Sequence, residues 1–184
     1  MFNYKYNKYY YKYNNLYGGG PNQNIKYELY KNELSKYGLA LKNASNEYKN
    51  DKEVVLVAVN NNGLALQYAS NELKNDKEVV LAAVHSNGLA LQHASNELKN
   101  DKKVILVAVN NNGLALKYAS GELQNDIDIV LAAVRSNGVA LQHASNELKN
   151  DKKVILDAIK NNRNALQFVS FFKMDIDVRN AFLK

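Results

Sequence analysis

Five aspartates stand 25 residues apart, at Asp51, Asp76, Asp101, Asp126 and Asp151, each preceded by Asn. Gly38, Gly63, Gly88, Gly113 and Gly138 keep the same step, and so do Ser45, Ser70, Ser95, Ser120, Ser145 and Ser170. A unit this short cannot bury an apolar face alone, so repeated units must stack and share one continuous core. The period therefore excludes a fold built around a single closed core. A second period of 50 lies on the first, since residues 46–95 match 96–145 at 39 of 50 positions. The short motifs VAVNNNG and AAVHSNG alternate, the second returning as AAVRSNG. Duplication of a two-unit block explains both periods.

Each unit carries its own punctuation. Asp51 is placed to cap a helix, its carboxylate accepting from the free amides of the first turn. Asn62-Gly63 follows eleven residues later, and Gly there is expected to take the left-handed conformation that closes a helix. Between them Val54, Val55, Ala58 and Val59 form one wide apolar face, and Leu56 and Val57 nearly close the circle. Such a helix must lie between neighbours. Leu64, Ala65, Leu66, Ala69 and Leu73 fit a second, shorter helix, which Ser70-Asn71 breaks into a final turn. A β-solenoid is the rival, because VVLVAV also suits a buried strand. Alternate units read VVLAAV, the cap-to-glycine distance exceeds a short strand, and Leu66, Ala69 and Leu73 are helically spaced. The expected fold is all-α, a short α-solenoid of about six 25-residue two-helix repeats.

The ends differ from the middle, as the ends of an array should. Three regions follow: a Tyr/Lys-rich leader with a glycine hinge over 1–21, a capping helix over 22–37, and the array with an atypical C-terminal cap over 38–184. Ile25, Leu29, Leu34 and Tyr37 mark the apolar side of the capping helix. At the other end Asp157 replaces the Val or Ala of the first helix and Arg163 replaces the glycine. Phe168, Phe171, Phe172 and Phe182 are placed to seal the stack, and the last unit, around Asp175-Ile176-Asp177-Val178, is one residue short.

Composition sharpens this division. The chain of 184 residues has a formal charge of +6, no Cys and one Pro. Residues 1–50 hold eight Lys against three Glu, and residues 51–184 are nearly neutral at +1. The basic excess thus points to the leader rather than the array. Without Cys there are no disulfides, thiolate metal sites or cysteine nucleophiles, a weak lean toward a reducing compartment. Residues 1–17 lack the apolar core of a signal peptide, so secretion is not expected. The longest aliphatic runs, six residues, fall far short of a membrane span.

The repeat unit DKEVVLAAVxxNGLALQxAS resembles the family called domain of unknown function 4116, helical repeats of amoebal giant viruses and some protists. The resemblance covers residues 38–178 and implies a fold and a provenance, with no activity, cofactor or catalytic residue. The segment KYYYKYNNLYGGG is similar to Tyr/Lys-rich leaders that end in Gly-Gly at the start of many giant-virus proteins. That resemblance implies a targeting or packaging tag, with cleavage near Gly19 or Gly20. Together they place the chain in the virion or the host cytoplasm.

Candidate sites sort by column. His93 and His143 share one with Asn43, Tyr68, Tyr118 and Phe168, a half-buried seam for flat side chains with a polar edge. With no Cys near and two layers between the imidazoles, no metal or other cofactor is expected. Glu47, Glu72, Glu97, Glu122 and Glu147 sit in like environments, whereas paired catalytic carboxylates need unlike ones. They are expected to form salt links with neighbouring Lys, and no enzyme is expected. The serines read as local caps. Two asparagine columns, Asn62 to Asn162 and Asn50 to Asn150, read as bonds to backbone at the turns between layers, with a peptide-gripping ladder as the alternative. The sequon Asn43-Ala44-Ser45 reads as accidental.

Asn60, His85, Asn110, Arg135 and Lys160 are polar and vary while their neighbours do not, which marks a candidate protein-contact column. Another protein is the expected partner. In the leader, Tyr6, Tyr9 and Tyr13 with Lys5, Lys8 and Lys12 suit anionic lipid or single-stranded nucleic acid. Nucleic acid or a membrane surface, bound through the leader only, is the alternative. Oligomeric state does not follow from the sequence.

Overall fold

The computed structural model describes residues 23–169, all helical or in short connections, with no strand among them. Six long α-helices set the layers: α1 (Gln23–Leu34), α2 (Lys52–Asn61), α3 (Lys77–Ser86), α4 (Lys102–Asn111), α5 (Ile127–Ser136) and α6 (Lys152–Asn161). Each packs on the next in chain order. The α-solenoid expected from the repeat is the fold.

The Asp column starts the helices as expected. Asp76 accepts from the amides of Glu78 (2.9 Å) and Val79 (3.1 Å), and Asp51 from that of Val54 at 3.1 Å. Val54, Val55, Ala58 and Val59 are all fully buried, and so are Val79, Val80, Ala83 and Val84 one layer on. Each buried Val contributes about 1.5–3 kcal/mol relative to an exposed one. Leu56, Val57, Leu81, Ala82, Leu106 and Val107 are half-buried on the outer side.

The second helix of each unit is a six-residue 3-10 helix, Gly63–Tyr68, repeated as Gly88–His93, Gly113–Tyr118 and Gly138–His143. Its buried residues are Gly63, Ala65 and Leu66. Gly63 and Leu66, three apart, lie on the eclipsed side of the 3-10 helix. Ala69 then turns extended, and Ser70 starts a separate α-turn, Asn71–Lys74, by accepting from the Leu73 amide at 3.3 Å. Each serine described at this column is such a local cap, as expected.

The glycines have a different reason from the one expected. None has the left-handed φ, so helix closure does not require them. A Cβ on Gly63 would lie 2.2 Å from the carbonyl oxygen of Ala83, in the helix of the next layer. Gly38, Gly88, Gly113 and Gly138 meet Ala58, Ala108, Ala133 and Ala158 in the same way, at 2.2–2.3 Å. Glycine therefore sets how closely layers approach. Arg163, at the equivalent position of the last described layer, is exposed.

At the N-terminal end α1 enters the stack as a layer of its own. Tyr27, in the register of Lys52, donates its hydroxyl to the Asp51 carboxylate at 3.1 Å. Tyr30 stacks on Tyr48 at 5.0 Å, and Tyr48 stands where later units bury Leu73, Leu98, Leu123 and Leu148. Leu34 is fully buried, but Tyr37, expected on the same face, is 54% exposed because the chain has already left the helix. At the other end, Asp157 accepts from Arg135 Nε at 2.7 Å. Phe168 packs half-buried against the core, while Phe171, Phe172, Phe182 and Asp175–Val178 lie outside the described residues.

Candidate functional site

The long helices bring the five variable positions into one file. Asn60, His85, Asn110, Arg135 and Lys160 are all exposed at the C-terminal ends of α2 to α6. Helical spacing puts each beside the half-buried residues three and four positions earlier: Val57 and Leu56, Ala82 and Leu81, Val107 and Leu106, Ala132, and Leu156. In α5 the corresponding leucine, Leu131, is buried at 5%. Among the described residues, Arg135 is the member of the file that makes a side-chain ion pair, with Asp157 of the next layer. The file is thus a polar margin along a shallow apolar stripe.

The position just after it does the work of holding layers together, and the sequence did not single it out. Asn111 Oδ1 accepts from the Gly88 amide at 2.7 Å while its Nδ2 donates to the His85 carbonyl at 2.8 Å. Asn61 does the same to Gly38 and Ser35, and Asn161 to Gly138 and Arg135. Ser86 and Ser136 stand in the alternate layers and accept from Gly63 and Gly113 at 3.1 Å. The signal was present as the alternation NNNG, HSNG, NNNG, RSNG.

The other polar columns are structural, with altered partners. Asn62, Asn87, Asn112, Asn137 and Asn162 each accept from the amide two residues on, within their own layer. Asn50 and Asn100 cross between layers, but to hydroxyls rather than backbone: Ser70 Oγ donates to Asn50 at 2.6 Å, and Ser120 Oγ to Asn100 at 2.5 Å. The Glu column is not the salt-linked one among the described residues. Glu97 accepts from Asn75 Nδ2 at 3.1 Å, and Glu122 from Asn100 Nδ2 at 3.5 Å. The capping aspartates take the lysines instead: Lys52–Asp76 at 2.7 Å, Lys77–Asp101 at 2.5 Å and Lys102–Asp126 at 2.7 Å.

This ladder holds the Asp101 carboxyl below its ordinary range, the Lys77 hydrogen bond being the main cause. Asp76 and Asp126 are likewise lowered: burial opposes ionisation, and the lysine and amide hydrogen bonds together outweigh it. It is interrupted at Ile127, which replaces Lys and is 38% exposed.

His93 and His143 lie half-buried in the seam, as expected of a column shared with Tyr68, Tyr118 and Phe168. Burial pushes both imidazoles below their ordinary value. Nearby lysines push the same way, Lys74 and Lys99 at His93, Lys117 and Lys149 at His143. Among the described residues no three His, Cys, Asp or Glu are grouped to hold a metal ion. Lys5, Lys8, Lys12, Tyr6, Tyr9 and Tyr13, with the processing candidates Gly19 and Gly20, lie outside the described residues.

Six stacked layers with locally capped helices, clamps between layers and a core that runs along the stack define a helical repeat protein. The chain belongs to the family described as domain of unknown function (DUF4116), whose model matches residues 34–74, 55–99, 76–124, 101–147 and 126–174. No curated protein and no solved structure matches it. No helix among the described residues is long and apolar enough to cross a membrane.

Proposed function

We propose that the chain is a non-enzymatic scaffold that binds another protein along the outer side of its long helices. One observation carries this reading: Asn60, His85, Asn110, Arg135 and Lys160 form an exposed, chemically varied file beside a half-buried apolar stripe. Variable polar groups at the margin of apolar surface give specificity and desolvated contact together. The five positions differ in charge and hydrogen-bonding capacity while the frame beneath them repeats, so the frame presents them at fixed intervals. The repeated carboxylates sit in like surroundings, which supports a binding rather than a catalytic role.

A location in the virion or the host cytoplasm is part of this proposal, and the likeness of KYYYKYNNLYGGG to Tyr/Lys-rich leaders supports it. Intact-mass measurement of the protein from virions is expected to show loss of the residues before Gly19 or Gly20. Finding them still attached would refute cleavage there.

The binding test is capture from infected cells with the full chain, compared with a variant carrying His85→Ala, Asn110→Ala and Lys160→Ala. Loss of a specific captured protein supports the reading. Equal capture by both chains refutes this file as the contact.

A further inference from the structure

The sequence holds four Asn-Gly pairs, Asn62-Gly63, Asn87-Gly88, Asn112-Gly113 and Asn137-Gly138. Each stands where a long helix gives way to its 3-10 helix. Asn before Gly carries a chemistry of its own. The glycine nitrogen attacks the side-chain Cγ of the asparagine and closes a five-membered succinimide. The new bond is N–Cγ; the Cγ–Nδ2 bond breaks, and ammonia leaves, taking up the proton the glycine nitrogen gave up. Water then opens the ring at either carbonyl and leaves aspartate or isoaspartate. A side chain on the second residue hinders the attack, and glycine has none. In an open chain these four turns are the most susceptible places of the array.

Two features of the fold oppose the reaction. The first is torsional. Ring closure needs the asparagine Cβ and the glycine nitrogen eclipsed about the Cα–C bond. Asn62, Asn87, Asn112 and Asn137 have ψ of 106°, 109°, 108° and 109°, which sets the two atoms on opposite sides of that bond. Each side chain is pinned there as well, its Oδ1 accepting from the amide two residues on at 3.0–3.2 Å. The turn cannot rotate to the reactive torsion without breaking that bond and displacing the 3-10 helix behind it.

The second is the glycine amide, which must lose its proton before the nitrogen can attack. All four glycines are buried, and each amide donates across a seam to the long helix of the next layer. Gly88 donates to Asn111 Oδ1 at 2.7 Å and Gly138 to Asn161 Oδ1 at 2.6 Å; Gly63 and Gly113 donate to Ser86 Oγ and Ser136 Oγ at 3.1 Å. The proton is out of reach only while the two layers touch. We infer that Asn62, Asn87, Asn112 and Asn137 are latent modification sites gated by the stack, each converting to aspartate or isoaspartate when the seam beside it opens. Isoaspartate lengthens the backbone by a methylene, and either product puts a carboxylate at a half-buried position. A seam that has reacted does not close as before, so a transient parting of layers leaves a permanent mark.

The test is peptide mapping by mass spectrometry of the full chain aged in mildly alkaline buffer, beside the same chain aged in urea above its unfolding midpoint. Deamidation at the four sites should be slower in the folded chain by at least about tenfold. Hydrogen exchange of the four glycine amides reads the opening of each seam independently, and the order of deamidation should follow the order of exchange. Asn111→Ala removes the acceptor of the Gly88 amide. It should speed the reaction at Asn87 by at least about tenfold, since each hydrogen bond lost from the closed seam raises the open fraction severalfold. Asn161→Ala should do the same at Asn137, and Asn62 should keep its rate in both variants.

Equal rates in the folded and the unfolded chain overturn the inference. Equal acceleration of all four sites in Asn111→Ala does so too, because global unfolding would then be the route. An order of deamidation unrelated to the order of amide exchange overturns it as well, and that comparison needs no variant to fold.

Discussion

Gly113→Ala separates two physical reasons for a glycine. Its φ is not left-handed, so alanine has no torsional penalty there. On chain entropy alone the change would stabilise by about 0.4–1 kcal/mol. The new Cβ, however, would sit 2.2 Å from the Ala133 carbonyl oxygen and 2.9 Å from the Asn137 nitrogen, both backbone atoms of the next layer. Neither can rotate away, so the two layers must part by several tenths of an ångström or more. Overpacking of this kind costs about 1–3 kcal/mol. Parting also stretches the Gly113 amide from Ser136 Oγ, now 3.1 Å away, a hydrogen bond worth about 1 kcal/mol. The expected net is a destabilisation of about 1–3.5 kcal/mol once the entropic gain is subtracted. Urea unfolding followed by far-ultraviolet circular dichroism measures it. Gly121→Ala is the control, since nothing lies within 4 Å of a Cβ there. It lies within a short helix and should stabilise by about 0.5–1 kcal/mol. If Gly113→Ala is neutral or stabilising, the close approach of layers is not why glycine stands in this column.

Three further perturbations follow from the interlayer contacts. Asn111→Ala removes both bonds of a clamp and leaves the amide of buried Gly88 without its partner, an expected loss of about 2–3 kcal/mol. Asn111→Ser should recover part of it, as Ser86 and Ser136 do; equal urea midpoints for Ala and Ser would refute the clamp. Ile127→Lys should restore the missing rung to Asp151 and raise stability by about 0.2–1 kcal/mol at low salt, with the gain fading in concentrated salt. A gain independent of salt would point to another cause. Stability should also fall on acidification in two stages. The histidine pKa values are lowered in the folded chain, so their contribution is complete above about 6.5 and is lost as pH falls from there toward the folded values. Asp76, Asp101 and Asp126 are lowered too, so theirs is complete above about 3.9 and is lost below it. His93→Gln with His143→Gln should flatten the first stage of a urea-midpoint profile against pH and spare the second.

The parts of the fold that were legible in the sequence are those whose partners are local. Asp51 and Ser70 cap amides three residues ahead, and Val54, Val55, Ala58 and Val59 share one face within a single helix. The contacts between layers were not legible in the same way. Asn61 bonds to groups 23 and 26 residues back, so in one dimension it looks like turn punctuation. Gly63 looked like a helix stop because it follows the helix; its actual constraint lies twenty residues ahead, at the Ala83 oxygen. The candidate contact column was visible as variation, and exposure is what the structure added.

The alternation of Asn and Ser in the clamp gives the stack a grain. Asn61, Asn111 and Asn161 tie α1 to α2, α3 to α4 and α5 to α6 with two hydrogen bonds each. At the seams between these pairs serine takes that place: Ser86 Oγ accepts from Gly63, and Ser136 Oγ accepts from Gly113 and donates to the Asn110 carbonyl at 3.4 Å. In the language of a one-dimensional chain with nearest-neighbour coupling, the clamp term alternates in kind: asparagine, serine, asparagine, serine, asparagine. The natural quantum of this protein is then the fifty-residue pair: arrays of the same design should gain or lose layers in twos.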